Sequence, residues 1–169
     1  MGVKRSVLFW FALLVLTPVV FFVSCQRVDM PNSSIDIEAK GPDGLPGIFW
    51  LIKERDQSAV GAWLDAGGDI ESKGYHGATP VLAAAIIDDW PMVLYLIHRG
   101  ARLDVADKRG FTLGYRSTTT RVDLEGIFGP ALLEVREVLA EADLLDEIYP
   151  PQVVREMKAA GEWPPEHSE

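Results

Sequence analysis

The apolar positions of this 169-residue chain form one solid block and then a series of spaced sets. Residues 7–23 are an uncharged run of 17, broken by Thr17 and Pro18. Lys4 and Arg5 precede the run, and Ser24 and Cys25 close it. A positive start, an apolar stretch and a small residue at its end predict a secretory signal peptide over residues 1–24. Residues 26–43 are polar, carry Pro, Asn, Ser and Gly, and show no period, which predicts a tether. As a flexible coil such a segment would reach roughly 20–25 Å.

From residue 44 the pattern repeats. Gly44, Gly77 and Gly110 are each 33 residues apart, and so are Gly67 and Gly100. The apolar sets move with them: Trp63 and Leu64 before Gly67 correspond to Leu96 and Ile97 before Gly100. A period of this size marks a stacked array of small units, none of which buries its own apolar face. Within a unit, Thr79-Pro80 can start a helix, because proline at the first turn lacks an N–H that would have no partner there. Ala83, Ala84 and Ala85 keep that helix thin, and Asp88-Asp89 end it. Pro91 begins a second helix with Met92, Val93, Leu96 and Ile97 at helical spacing. Gly100 stops it as a left-handed cap, and 101–109 is extended.

These residues resemble the ankyrin repeat. Its G-x-T-P-L-H-x-A-A stands here as Gly77-Ala-Thr79-Pro80-Val81-Leu82-Ala83-Ala84-Ala85, and its V-x-x-L-L-x-x-G-A as Val93, Leu96, Ile97, Gly100 and Ala101. The sequence departs at the histidine, which is Leu82, and in the first unit, where Pro46-Gly47 replaces Thr-Pro. The third unit begins at Gly110-Phe111-Thr112. Its second helix is expected near 130–142, where Val135, Val138 and Leu139 match Val93, Leu96 and Ile97 at an offset of 42, with about nine residues inserted in 114–129. Residues 152–160, with Val153, Val154 and Met157, read as a capping helix, which an array needs to cover its last apolar face. The resemblance implies an all-α fold. It is a short solenoid of about three helix-turn-helix repeats over 44–143, followed by a capping helix and acidic tail over 144–169.

The lone cysteine sharpens the picture. One cysteine leaves no intrachain disulfide. Its place directly after the apolar run resembles a bacterial lipoprotein signal, which implies lipidation of Cys25. Phe22 departs from the leucine that the pattern prefers three positions before the cysteine. Gln26, where aspartate would favour inner-membrane retention, implies the outer membrane. Two other readings of the segment are an uncleaved signal-anchor, since 17 residues is at the short end for a span, and N-myristoylation at Gly2. Lys4 and Arg5 are the charged residues before Cys25, so the chain beyond it keeps 14 bases and all 25 acids, a net charge of −11. Such a surface argues against nucleic-acid binding. Residues 134–169 carry ten acids and three bases.

A search for chemistry finds no H-E-x-x-H, G-x-S-x-G or P-loop, and His76, His98 and His167 are not at metal-ligand spacing. No enzyme activity and no cofactor are expected. Asp88-Asp89 read as a solvated pair, and 117–120 between Arg116 and Arg121 as a polar loop or, less simply, an anion site. The resemblance implies a concave face built from turn tips and first helices. It maps to Tyr75, His76, Ala78, Ile86 and Ile87, to Lys108, Arg109 and Phe111, and to Asp43, Leu45, Lys53 and Glu54. Isoleucine at 86 and 87 implies either a contact patch for another protein, rimmed by Tyr75, Lys108 and Arg109, or an insertion at 114–129 that folds back over it. The expectation is a periplasmic lipoprotein, anchored in the membrane through Cys25, that binds another protein. That partner could be a toxin neutralised by an immunity protein; the alternative is an envelope structural or assembly factor.

Overall fold

The computed structural model describes residues 35–165; the predicted signal segment, Cys25, the first half of the tether and His167 lie outside them. The described residues fold as seven α-helices with isolated bridges and no strand. The helices are α1 (Gly47–Lys53), α2 (Gln57–Asp65), α3 (Pro80–Ile86), α4 (Trp90–His98), α5 (Leu113–Thr119), α6 (Gly129–Glu141) and α7 (Pro151–Ala160). The fold is all-α.

The 33-residue period is visible in the backbone. Helices α1, α3 and α5 begin 33 residues apart, as do α2 and α4. Ahead of each first helix runs the same tight turn: the N–H groups of Gly41, Gly74 and Asp107 donate to the carbonyls of Leu45, Ala78 and Phe111. The fourth residue of each turn is Gly44, Gly77 or Gly110, all at positive φ. Asp56 and Asp89 cap α2 and α4 by accepting from the N–H groups of Ala59 and Met92 at 2.9 and 3.3 Å, which satisfies donors that a helix start leaves open. Both helices end the same way. The N–H groups of Gly67 and Gly100 donate to Leu64 and Ile97, and the next N–H reaches back to Trp63 and Leu96.

Packing follows this order. Helix α1 lies against α2 and α3, α3 against α4 and α5, and α6 against α4 and α5. Ala84 and Ala85 of α3 are fully buried, and the absence of bulk there lets three helices approach. Trp90, Val93, Leu96, Leu113, Leu132 and Leu139 fill the interior around them. Each buried side chain of this size is worth about 1.5–3 kcal/mol. At the last turn, Asp107 is sealed from solvent, and its carboxylate accepts from the N–H groups of Arg109 and Phe111 and from Arg109 Nε at 2.9–3.0 Å. Helix α7 covers this turn. Val154 is buried, Arg155 Nη1 donates to the Arg109 carbonyl, and Lys158 Nζ to those of Ala106 and Asp107.

Four expectations change. Residues 113–119 are helix α5, so the extra segment within 114–129 narrows to 120–128, and residues 114–119 do not belong to it. It meets the α3–α4 loop, where Thr120 Oγ1 donates to Asp88 at 2.7 Å, and the α1–α2 loop, where the Arg55 guanidinium lies 5.4 Å from the Phe128 ring. Helix α6 aligns with α4 at an offset of 43: Asp143 at φ 57 holds the left-handed position, and Leu139, like Leu96, accepts the closing hydrogen bond. Val135 and Leu139 are therefore buried, while Val138 is half-exposed. At the N-terminal side, Ile37 packs on the core and the first turn starts before residue 44, so the folded unit includes part of the expected tether. Finally, Asp89 is not a solvated acid but a buried cap that pairs with Arg55 at 3.3 Å.

Candidate binding groove

Helices α1 and α3 and the turns ahead of α3 and α5 enclose an apolar groove of about 240 Å³. Phe49 and Ile52 of α1 form part of its floor, with Ala78, Ala83, Ile86 and Ile87 from the second unit. Leu45 also lines it, and Lys53, Tyr75, His76 and Arg109 bring polar groups to the lining. Ala83 is part of the reason that the space exists: 33 residues earlier the corresponding position is Trp50. The carbonyl of Ile86 accepts from Arg116 and that of Ile87 from Arg55, at 3.1 and 2.8 Å. The end of α3 is thus held from both neighbouring units, and the polar carbonyls at the apolar edge have partners.

Of the residues singled out from the sequence, Tyr75, His76, Ile86, Ile87 and Arg109 line one space. Tyr75 and Ile86 are 58% and 36% exposed, whereas Ile87 is half-buried and packs against the core. No residue of 114–129 lines the groove, so the extra segment does not cover Ile86. Lys108 lies just outside. Its alkyl chain runs beside Gly77, and its backbone N–H donates to the His76 carbonyl at 2.8 Å. Phe111 is not part of the lining: its ring packs on Tyr115 at 5.8 Å and beside the Arg109 and Arg116 guanidinium groups. Phe49, Ile52 and Ala83 were missed, because helical spacing assigns such residues to a core and does not show that one side of the core is open.

The rim has its own electrostatics. Lys53 Nζ lies 5.9 Å from the Trp50 ring centroid and 5.6 Å from that of Tyr75, and it pairs with Asp43. Its hydrogen bond holds the Asp43 carboxyl below the usual carboxylate range. The suggested anion site at 117–120 is not free to bind. Its residues lie in or at the end of α5, and the hydroxyls of Ser117, Thr118 and Thr119 donate to carbonyls of the same helix.

A second cavity, of about 380 Å³, opens beside the C-terminal segment. Asp104, Asp143, Asp146 and Glu147 line it with Tyr115, Tyr149 and Trp163. None of the sequence candidates falls in it. Among the described residues no group of three or more His, Cys, Asp and Glu is placed to hold a metal ion, and no helix is long and apolar enough to cross a membrane. No family model matches this chain, and no curated protein matches it in sequence.

Proposed function

We propose that this chain is an ankyrin-repeat module, tethered to the membrane through Cys25 on the periplasmic side, that binds another protein through the groove. The observation that carries the reading is the groove itself. It is an open apolar surface contributed by three successive units, in a chain whose helices and turns recur every 33 residues. Solenoid folds use such an uninterrupted inner surface for recognition. The first-helix and second-helix rows, the shared turn and the glycine ends all support the ankyrin assignment. Leu82 fits the same reading as a local departure. With no histidine at that place, the Thr79 hydroxyl is buried without a partner.

Binding, and not catalysis, is the reading that these residues support. The groove offers bulk apolar contact and a few cations, the composition of an interface anchor, and sets no nucleophile beside a base. An immunity protein that neutralises a toxin outside the cytoplasm is one form of this function. It joins a small exported anchor to a surface for one protein.

The test places a photo-crosslinking benzoylphenylalanine at position 86 of the full chain, and separately at Ile127, which is 86% exposed and outside the groove lining. After irradiation of cells and solubilisation of membranes, a discrete adduct at 86 and none at 127 is expected. Equal labelling at both, or none at 86, would reject the groove. In the same cells Cys25→Ser should abolish palmitate labelling and leave the leader uncleaved; undiminished labelling would exclude Cys25 as the lipid acceptor.

A further inference from the structure

We infer that the groove receives an acidic segment of the partner protein, in which one bulky apolar side chain is flanked by Asp or Glu. The inference rests on the reading of the groove as a protein-binding site and adds the chemistry of what it binds.

Charge is the first argument. The chain carries 25 acids and 16 bases, yet the residues lining the groove include Lys53, His76 and Arg109 and no carboxylate. Two of these charges are partly answered within the fold, Lys53 by Asp43 and Arg109 by Asp107. The pairing with Asp107 uses Arg109 Nε and leaves the two Nη groups, a fork that suits a carboxylate. Lys108 precedes Arg109 in the same turn, and among the described residues no carboxylate pairs with it. A charge in salt at cellular strength is felt over roughly 8 Å. Charges at the rim of the groove therefore weigh more in docking than acids farther than this from it.

Size is the second argument. At about 240 Å³ the groove is smaller than the roughly 300–1,000 Å³ that encloses a drug-sized ligand. It suits the side chain of a protein segment lying across it better than a cofactor held whole. The apolar floor of Phe49, Ile52 and Ile86 would seat that side chain. The cations on the side of the third turn would meet acidic residues before or after it.

The experiment is a selection of random twelve-residue peptides displayed on phage against the full chain in detergent micelles, repeated with Lys108→Glu and with Ile86→Asp. The expected peptides carry a bulky apolar residue flanked by Asp or Glu. They should bind Lys108→Glu roughly tenfold more weakly, lose affinity as sodium chloride is raised, and fail on Ile86→Asp. The Lys108 side chain is exposed, so its variant should keep the fold, which a thermal melt verifies. Ile86-dependent peptides without an acidic bias would overturn the inference and leave the groove as a binding site. Peptides indifferent to Ile86 would overturn both. Failure to select any peptide, with Ile86-dependent dimerisation in sedimentation, would assign the groove to a second copy of the chain and overturn the acidic-segment inference.

Discussion

Gly110→Ala should cost this protein about 3 kcal/mol or more, whereas Gly100→Ala should cost about 1. Both glycines have nearly the same backbone, with φ at 88° and 89°. An L side chain there is disfavoured by roughly 1–2 kcal/mol wherever it stands. Space separates them. Around Gly100 nothing lies within 4 Å of an added Cβ, but at Gly110 that atom would lie 1.9 Å from the Pro151 carbonyl oxygen. A backbone atom cannot yield as a flexible side-chain tip can, so α7 must move. Moving it exposes Val154 and breaks the bonds from Arg155 and Lys158 to the turn. Against a total stability of about 5–15 kcal/mol, this is a large share. The check is a pair of thermal melts with limited proteolysis. Gly110→Ala should melt about 10 °C lower and be cut first within 144–150, ahead of α7. Equal losses in the two variants would show that α7 is not docked on the turn.

The largest effect on function is expected from Ile86→Asp, with Ile87→Asp as its counterpart. Ile86 is 36% exposed at the groove edge, so a carboxylate there remains hydrated and the fold should keep a melting temperature near that of the unchanged chain. Partner binding should fall at least about thirtyfold, the loss of an interface hot spot of about 2 kcal/mol. Ile87 packs against the core, and the same change there should destabilise the array by several kcal/mol. Calorimetry and binding measured together decide the matter. A folded Ile86→Asp variant that still binds would remove this face from consideration.

Much of the architecture was legible because backbone geometry forces particular residues into particular places. The glycine series 44/77/110 and 67/100 mark left-handed positions, and those positions recur with the fold. Where another residue takes such a position the signal vanishes. Asp143 ends α6 in place of a glycine, and the alignment of that helix slipped by one residue. Helix α5 leaves little trace in the sequence, because LGYRSTT offers a glycine, a serine and two threonines and little apolar period. It is helical through its surroundings. Thr112 caps it, its neighbours α3 and α6 pack on it, and Arg136 donates to the Ser117 carbonyl. For the groove, the turn residues and Ile86 follow from the resemblance to the ankyrin repeat, mapped along the 33-residue period. The direction of Phe111 could not, since its ring is set by the arginines on either side and not by its position in the repeat.

The contacts that join one unit to the next at the end of α3 have arginine on one side and main-chain carbonyls on the other: Arg55 to Ile87, and Arg116 to Ala85 and Ile86. A carbonyl is present whatever side chain the residue bears. The scaffold therefore places no demand on the identity of residue 86, beyond keeping the helix, and mutations there are free to accumulate without loosening the array. Under the proposed function, recognition and assembly are therefore separable at this position. Substitution at 86 should therefore alter the groove edge while the hydrogen bonds from Arg55 and Arg116 remain available.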